Sequence, residues 1–285
     1  MSTADLPAWA PRGTDLNLPN AARMYDYALG GYHNFAVDRD LVERAEAAVP
    51  GARLVAHANR ALLGRVVRWL TAAGVRQFLD LGSGIPTLGN VHEVAQDAAP
   101  DARVVYVDLD PVAVEHSASL LADNPFATMI QADLRRPADV VTSRTVTDLL
   151  DFTQPVAVLM MAVLHFVPDA DDPAGIVARF AEPLAAGSFV ALSHGARSPE
   201  RFDDAETVRQ LYRRTSTPLH LRDRDEVAKL VAGLEIVEPG CVPVNEWRPD
   251  PGDPTDVTRD ELLAVVARKA TTTTAARKAT TTPTP

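Results

Sequence analysis

Two motifs in the first half of the chain place acidic residues beside features that suit a nucleoside ligand. In residues 78–84, Asp80 precedes Gly82, Ser83 and Gly84. Glycines at these positions permit a tight turn and let a ligand approach the backbone. A carboxylate at Asp80 would repel a pyrophosphate, but it suits the ammonium group of an amino acid. Taken alone, a Gly-x-Gly turn is equally compatible with plain turn chemistry.

The second motif is residues 104–111, in which Asp108 ends an apolar run and Asp110 follows it. A carboxylate at the end of the strand after the glycines can accept both hydroxyls of an adenosine ribose. The alternative is that Asp108 or Asp110 caps the next helix. Two acids two residues apart allow both roles, with Asp108 as the ligand and Asp110 as the cap.

A third acid, Asp133, follows the apolar run of residues 127–131. Its carboxylate can accept a hydrogen bond from an exocyclic adenine amine, although it could equally cap a helix or shape a turn. The three motifs in order, at successive strand ends, predict an adenosine-type ligand. The candidate cofactor-binding residues are Asp80, Gly82, Ser83, Gly84, Asp108, Leu109, Asp133 and Leu134.

The elements that must position these residues alternate between strand and helix patterns. This alternation predicts an α/β fold with a doubly wound, mostly parallel sheet. Right-handed crossovers place the loops after parallel strands on one edge of such a sheet, where ligands bind. Amphipathic patterns before the first strand predict a helical region over residues 20–73. We expect residues 1–19 to form an arm, residues 20–269 the cofactor-binding domain and residues 270–285 a disordered Thr-rich tail.

Composition limits the possible partners. The formal net charge of -10 disfavours a nucleic-acid partner, because an acidic surface repels phosphates. The single cysteine excludes an intramolecular disulfide and a multi-cysteine metal site. No apolar run approaches the roughly 20 residues that a membrane helix needs, and the first residues lack the apolar core of a signal peptide. We therefore expect a cytoplasmic protein with no membrane partner; the sequence does not indicate an oligomeric state.

With these motifs in place, the chain resembles the Rossmann-like S-adenosylmethionine (SAM)-dependent methyltransferases, and more closely the family known simply as S-adenosyl methyltransferase. The matching segments are residues 19–31, 33–39, 58–60, 78–87, 90–96, 105–108, 237–240 and 247–250. The resemblance implies a seven-stranded sheet with an antiparallel last strand, an N-terminal helical region over the cofactor, and SAM as that cofactor. It implies methyl transfer but names no acceptor. The end of the fourth predicted strand lacks the Asn/Asp-Pro-Pro-aromatic signature associated with methylation of nucleic-acid bases. Together with the acidic net charge, this favours a small molecule as the methyl acceptor.

Other candidate residues are less specific. His165, after the fourth predicted strand, is a candidate base because an unperturbed histidine titrates near neutrality; the alternative is a packed, hydrogen-bonded loop histidine. An aromatic cluster could act as a lid over the cofactor or substrate, or could simply pack against the sheet. Its members are Tyr25, Tyr27, Tyr32 and Phe35. We expect no metal, because Gln96 stands where a zinc motif beginning at His92 needs a second histidine.

Two other functions compete with methyl transfer. An NAD-dependent oxidoreductase is disfavoured by Asp80 and by Thr87, which stands where the dinucleotide fingerprint has its third glycine. A non-catalytic module that senses SAM or S-adenosylhomocysteine (SAH) has the same binding motifs and no catalytic residue, so the sequence leaves this alternative open.

Overall fold

A sheet of mostly parallel strands forms the centre of the computed structural model, which describes residues 7, 9–12, 14–86, 89–197, 202–213, 215–251, 253 and 261–270. The strands are β1 (Gln77–Leu81), β2 (Arg103–Asp108), β3 (Ala127–Gln131), β4 (Ala157–Met161), β5 (Phe189–Gly195), β6 (Glu235–Ile236), β7 (Val242–Pro243) and β8 (Leu262–Arg268). Their order across the sheet is β3-β2-β1-β4-β5-β8-β6, and β7 pairs with β8 off this path. The predicted α/β class is confirmed.

The central strands are apolar because both of their faces are covered. Every residue of β1, β4 and β5 is buried, as expected for parallel strands with helices on both sides. β8 is antiparallel to β5, from Phe189 opposite Arg268 to Gly195 opposite Leu262. The seven-strand path with an antiparallel last strand therefore agrees with the expectation, and the two-residue β7 adds a strand beside it.

Helices cover both faces of this sheet. They are α1 (Ala21–Ala28), α2 (Ala36–Ala48), α3 (Ala52–Ala72), α4 (Val91–Ala98), α5 (Pro111–Leu120), α6 (Pro137–Val141), α7 (Arg144–Leu149), α8 (Pro173–Ala181), α9 (Phe202–Tyr212) and α10 (Arg224–Lys229). Alternate strand residues point to opposite faces, so Phe78 packs with α3 and α4 while Leu79 packs with α8 and α10. The chain order reverses on either side of β1, which places a switch point at the end of that strand.

The N-terminal helices form a cap that is joined by a buried ion pair. Asn20 caps α1 by accepting hydrogen bonds from two backbone N–H groups. Arg23 of α1 donates to Asp38 of α2 at 3.0 Å, and both side chains are almost fully buried. Met24 and Val42 then pack against Tyr212 of α9. Helix α9 therefore contributes to the cap, although it follows the fifth strand in the chain.

The two ends of the chain differ in what the structure describes. In the arm predicted for residues 1–19, Trp9 stacks on Phe35 at 5.1 Å between ring centroids. The predicted tail lies outside the described residues except for Ala270. None of the helices in the described part of the chain is both long and apolar enough to cross a membrane.

Candidate functional site

A cavity of about 750 Å³ lies between the carboxyl edge of the sheet and the cap. All eight candidate cofactor-binding residues line it. They come from the loops after β1, β2 and β3, which topology brings to one edge of the sheet. The structure therefore brings together residues that are more than 50 positions apart in the sequence.

The glycine turn after β1 is held against β2. Gly82 has a φ of 71° and Gly84 a φ of 66°, a backbone region that favours glycine. A Cβ atom on Gly82 would lie 2.3 Å from a methyl carbon of Val163, so a side chain does not fit there. The Gly82 N–H donates to the Val107 carbonyl at 2.7 Å. The turn is thus fixed by its own backbone and leaves room on the cavity side.

The Asp108 carboxylate is positioned by backbone donors. Its Oδ2 accepts the Gly84 N–H at 2.7 Å, and its Oδ1 accepts the Asp110 N–H at 2.8 Å. Asp110 accepts the Val112 N–H at 2.7 Å and so caps α5. Asp110 therefore caps α5, while Asp108 lines the cavity and has further lone pairs that can accept hydrogen bonds from a ligand. Burial raises the pKa of Asp108.

Asp80 is 5% exposed at the inner end of the cavity. Burial raises its pKa to about 7, the positive charge of Arg60 opposes this rise, and the negative charge of Asp108 adds to it. Arg60, on α3, lines the same end of the cavity, and its guanidinium lies 5.7 Å from the centroid of the Tyr25 ring. No local pattern in the sequence marks Arg60, because only the fold brings α3 to the end of β1.

Asp133 has a charged partner of its own. Arg135 Nε donates to both carboxylate oxygens at 3.0 Å, and its Nη2 donates to Oδ2 at 2.7 Å. These hydrogen bonds lower the pKa of Asp133, which stays ionised. Leu134 is half-buried beside it, whereas Leu109 is 57% exposed at the cavity mouth.

The other half of the cavity lies under the cap and is mostly apolar. Its apolar lining includes Met24, Val42, Ala45, Val49, Phe166, Val208, Tyr212, Leu219 and Leu221. These side chains come from α1, α2, α9 and the segments that follow β4 and α9. Two carboxylates, Asp204 and Glu261, also line the cavity. Below, we refer to this region as the apolar half and to the carboxylate-lined region as the cofactor half.

His165 lines the cavity, but its hydrogen bond argues against a role as a base. The Gly195 N–H donates to His165 Nδ1 at 3.0 Å, so Nδ1 carries no proton. Burial, with the charges of His194 and Arg222, holds the His165 pKa well below its usual value, so the ring is neutral. The proton of a neutral ring must then be on Nε2. In this state His165 is a hydrogen-bond donor, as in the alternative of a packed loop histidine, and its role as a base stays a prediction from the sequence.

Behind His165, a buried arginine fixes the loop after β4. Arg222 is 5% exposed and donates to the carbonyls of Leu164 and Val167 and to Asp169. It also donates to His194 Nε2 at 2.7 Å. Burial lowers the pKa of His194 to about 4, so that ring accepts as a neutral group. The sequence does not single out Arg222, because the chain carries many arginines and no spacing marks this one.

Tyr25 is tied to the sheet by a chain of side-chain hydrogen bonds. Asn59 Nδ2 donates to the Tyr25 hydroxyl at 3.0 Å, and Asn59 Oδ1 accepts from Ser193 Oγ at 2.5 Å. Ser193 Oγ accepts the Ala162 N–H at 2.8 Å. Ala162 has a φ of 53°, a strained conformation for a residue with a side chain. The chain thus links the cap to the ends of β4 and β5 beside the cavity.

The other three members of the aromatic cluster do not line the cavity. The Tyr27 hydroxyl donates to Glu43 at 2.6 Å on the outer surface of the cap. Tyr32 is 79% exposed. Phe35 stacks on Trp9 at the start of α2. Of the four rings, Tyr25 alone lines the cavity, and a lid role stays a prediction from the sequence.

No group of three or more potential metal ligands occurs among the residues that the structure describes. His92 instead pairs with a neighbour: its Nδ1 lies 2.7 Å from the Tyr106 hydroxyl. Burial lowers the pKa of His92.

Solved structures with similar folds include two that match nearly the whole chain. A protein from Thermobifida fusca YX, proposed to be a methyltransferase, is 36% identical with a TM-score of 0.87, over 93% of this chain and 100% of that one. A DUF574 family protein from Streptomyces avermitilis MA-4680 is 40% identical with a TM-score of 0.85, over 90% of this chain and 99% of that one.

An O-methyltransferase family protein from Burkholderia thailandensis shares the fold at 14% identity, with a TM-score of 0.50 over 73% of this chain and 55% of that one. No curated protein matches the chain. Residues 7–270 match the sequence profile of S-adenosyl methyltransferases. The chain therefore belongs to the S-adenosyl methyltransferase family, and it is an enzyme that uses SAM.

Proposed function

We propose that this enzyme transfers the SAM methyl group to a small-molecule acceptor bound in the apolar half of the cavity. The observation that carries the proposal is that one cavity joins the cofactor half to an apolar half under the cap. Its volume of about 750 Å³ is in the upper part of the range of about 300–1,000 Å³ for ligand sites. The net charge of -10 favours a small molecule over nucleic acid. A cytoplasmic location stays a prediction from the sequence.

The residues of the cofactor half fit SAM. The buried Asp80 carboxylate, with its pKa raised to about 7, is suited to the ammonium group of the methionine portion. Asp108 is suited to the ribose hydroxyls, and Asp133 to the adenine amine, with Leu109 and Leu134 beside the base. Ser83 Oγ is buried, lines the cavity and has no hydrogen-bond partner among the residues that the structure describes. A buried hydroxyl without a partner is costly unless a ligand supplies one.

Bound SAM supplies an activated methyl group, so the protein mainly has to orient the acceptor and exclude water. The apolar wall under the cap can exclude water from the reacting groups. His165 can donate a hydrogen bond to an acceptor atom but does not take its proton. Because His165 does not act as a base in this proposal, the nucleophilic atom of the acceptor either has a free lone pair or loses its proton to another group.

Calorimetric titration with SAM, SAH and NAD in parallel tests the cofactor assignment. We expect saturable binding of both sulfur ligands and none of NAD, because Asp80 repels a pyrophosphate and suits an ammonium group. Binding of NAD alone would contradict the proposal while leaving the fold unaffected.

An acceptor screen that measures SAH formation tests the apolar half. Val208 of α9 lines the cavity, so Val208→Trp should occupy acceptor space while SAH binding persists. Gln210 is exposed on the same helix outside the cavity, so Gln210→Trp is the matched control. For any acceptor that the screen finds, we expect Val208→Trp to lose turnover and Gln210→Trp to keep it. Equal turnover in both variants would place the acceptor elsewhere.

A further inference from the structure

A row of three aromatic rings lines the cavity on the side of the apolar half. His165 packs edge-on against Phe166, with 4.3 Å between the ring centroids and 76° between the ring planes. Phe166 in turn stacks on Tyr212 of α9, with 6.2 Å between the centroids and 21° between the planes. All three residues line the large cavity. Because aromatic pairs gain energy beyond the area that they bury, this aromatic row favours a ligand with a flat ring.

Thr217, in the segment between α9 and α10, adds an unpaired polar group to this apolar surface. Its Oγ1 is buried and has no hydrogen-bond partner among the residues that the structure describes, and Thr217 lines the large cavity. The segment is held on both sides of Thr217. The Ser216 N–H donates to the Pro19 carbonyl at 3.2 Å, and the His220 N–H donates to the His165 carbonyl at 2.7 Å. Since buried polar groups nearly always have partners, the Thr217 hydroxyl indicates a ligand group that forms hydrogen bonds.

The aromatic row and Thr217 come from parts of the chain that supply none of the eight candidate cofactor-binding residues. Phe166 lies in the loop after β4, Tyr212 ends α9, and Thr217 follows it. The candidate cofactor-binding residues instead lie at or after the ends of β1, β2 and β3. Ligand sites combine an apolar and aromatic lining with a few polar groups that fix the orientation of the ligand. The aromatic row with Thr217 has this composition independently of the cofactor half.

We propose that the methyl acceptor is an aromatic compound with a hydroxyl group. Its ring packs along Phe166 and Tyr212, and its hydroxyl pairs with Thr217 Oγ1. The inference rests on the proposed function, since it names the class of acceptor that the apolar half binds. It makes Tyr212 and Thr217 residues that determine specificity: Tyr212 selects aromatic over aliphatic rings, and Thr217 selects rings that carry a hydroxyl group.

Three probes with one two-ring carbon skeleton test the proposal on the protein saturated with SAH. 2-Naphthol is aromatic and carries a hydroxyl group, naphthalene lacks the hydroxyl, and decahydro-2-naphthol keeps the hydroxyl but is not aromatic. The fluorescence of 2-naphthol measures its own binding and its displacement by the other two probes. We expect 2-naphthol to bind roughly two- to tenfold more tightly than either, the value of one aromatic contact or one neutral hydrogen bond.

Two variants separate the ring from the hydroxyl. Thr217→Val keeps the shape of the side chain and should weaken 2-naphthol binding by roughly three- to tenfold, while naphthalene binding changes less than about twofold. Tyr212→Leu should weaken 2-naphthol binding by roughly two- to tenfold and change decahydro-2-naphthol binding less than about twofold. Phe166→Leu tests the same aromatic row, with the same expected result, in case Tyr212→Leu does not fold.

The matched control for Thr217→Val is Thr207→Val on α9. Thr207 Oγ1 donates to the Asp203 carbonyl at 2.8 Å, and Thr207 does not line the large cavity. This variant also loses a threonine hydroxyl, and we expect it to bind all three probes as the wild type does. SAH binding reports whether each variant is folded.

The possible outcomes separate this inference from the proposed function. Equal affinity for 2-naphthol and either of the other probes, or no binding of any probe to the SAH complex, overturns the acceptor class. Unchanged 2-naphthol binding in folded Thr217→Val overturns the role of Thr217, and equal binding to Val208→Trp and Gln210→Trp overturns the site. Failure of SAH itself to bind overturns the proposed function instead, as does an acceptor whose turnover survives Val208→Trp.

Discussion

The two halves of the cavity are built in different ways. In the cofactor half, Asp80, Asp108 and Asp133 stand at the ends of adjacent strands, and backbone N–H groups hold the Asp108 carboxylate in place. In the apolar half, side chains come from α1 and α2, near the start of the chain, and from α9, which follows the fifth strand and packs against them. Under the proposed function, the first half binds its ligand by charge and hydrogen bonds at fixed positions, and the second half binds the acceptor by shape.

The cofactor half should be most sensitive to Asp108. We expect Asp108→Ala to weaken binding of both SAH and 5′-methylthioadenosine, which carries the same nucleoside without the amino-acid end, by about 1.5–3 kcal/mol, the value of hydrogen bonds to a charged group. Both ligands carry the ribose, so both should respond. Calorimetric titration measures the effect.

The control for this variant is Asp223→Ala. Asp223 accepts the Glu226 N–H at 2.9 Å as the cap of α10, and it does not line the large cavity. Loss of this cap should reduce the free energy of unfolding by roughly 0.5–2 kcal/mol. The affinities for SAH and methylthioadenosine should stay unchanged. A folded Asp108→Ala variant that binds as tightly as wild type would contradict the ribose assignment.

Asn59, which is 4% exposed, links the cap to the strand ends beside the cavity. Asn59→Ala leaves the buried Ser193 hydroxyl without its acceptor and the Tyr25 hydroxyl without its donor. We expect a loss of about 1–3 kcal/mol in the free energy of unfolding, measured by urea denaturation.

A double-mutant cycle with Ser193→Ala sharpens this prediction. The double variant should lose less than the sum of the two single losses, because removing both partners leaves no unpaired group between them. Losses that simply add would show that Asn59 and Ser193 do not act as a unit.

These halves also differ in how far the sequence predicts them. The cofactor half follows from a local rule, since each motif joins an apolar strand to an acid or glycine, and one sheet edge collects all three. The roles of Arg60, Asn59 and Arg222 depend on which helix or loop packs beside which strand, and no local spacing encodes that. The His165 ring state depends on a single N–H from Gly195, 30 residues away. The place of helix α9 in the cap likewise depends on packing.

The pH dependence of binding should separate the amino-acid end from the nucleoside. Burial raises the pKa of Asp80 to about 7, so below that pH the carboxyl is neutral and attracts an ammonium group weakly. We expect SAH affinity to fall about tenfold from pH 8 to pH 6, following the ionised fraction, while methylthioadenosine affinity stays nearly constant. Asp80→Asn should remove the pH dependence of SAH affinity, so that both ligands respond to pH in the same way. A parallel fall for both ligands would assign the titration to another group.

The same pKa predicts the opposite trend for the ligand-free protein. Because the folded pKa of Asp80 lies above its unfolded value, the folded state holds a proton that the unfolded state has lost. The contribution of Asp80 to stability is therefore present below the unfolded pKa and is lost as the pH rises through about 7. Saturating SAH should reduce that loss by supplying a positive partner for the carboxylate.

The smallest effect is expected at His165, on the boundary between the halves. His165→Ala should change SAH affinity by less than about twofold, because one neutral hydrogen bond outside the cofactor half contributes little to it. Nitrogen NMR of the ring should show Nδ1 without a proton and Nε2 with one, with no titration near pH 6.5, since burial lowers its pKa well below that value. A ring that titrates near neutrality would restore His165 as a base. A large loss of SAH affinity would instead place His165 against the cofactor and shift the boundary between the two halves.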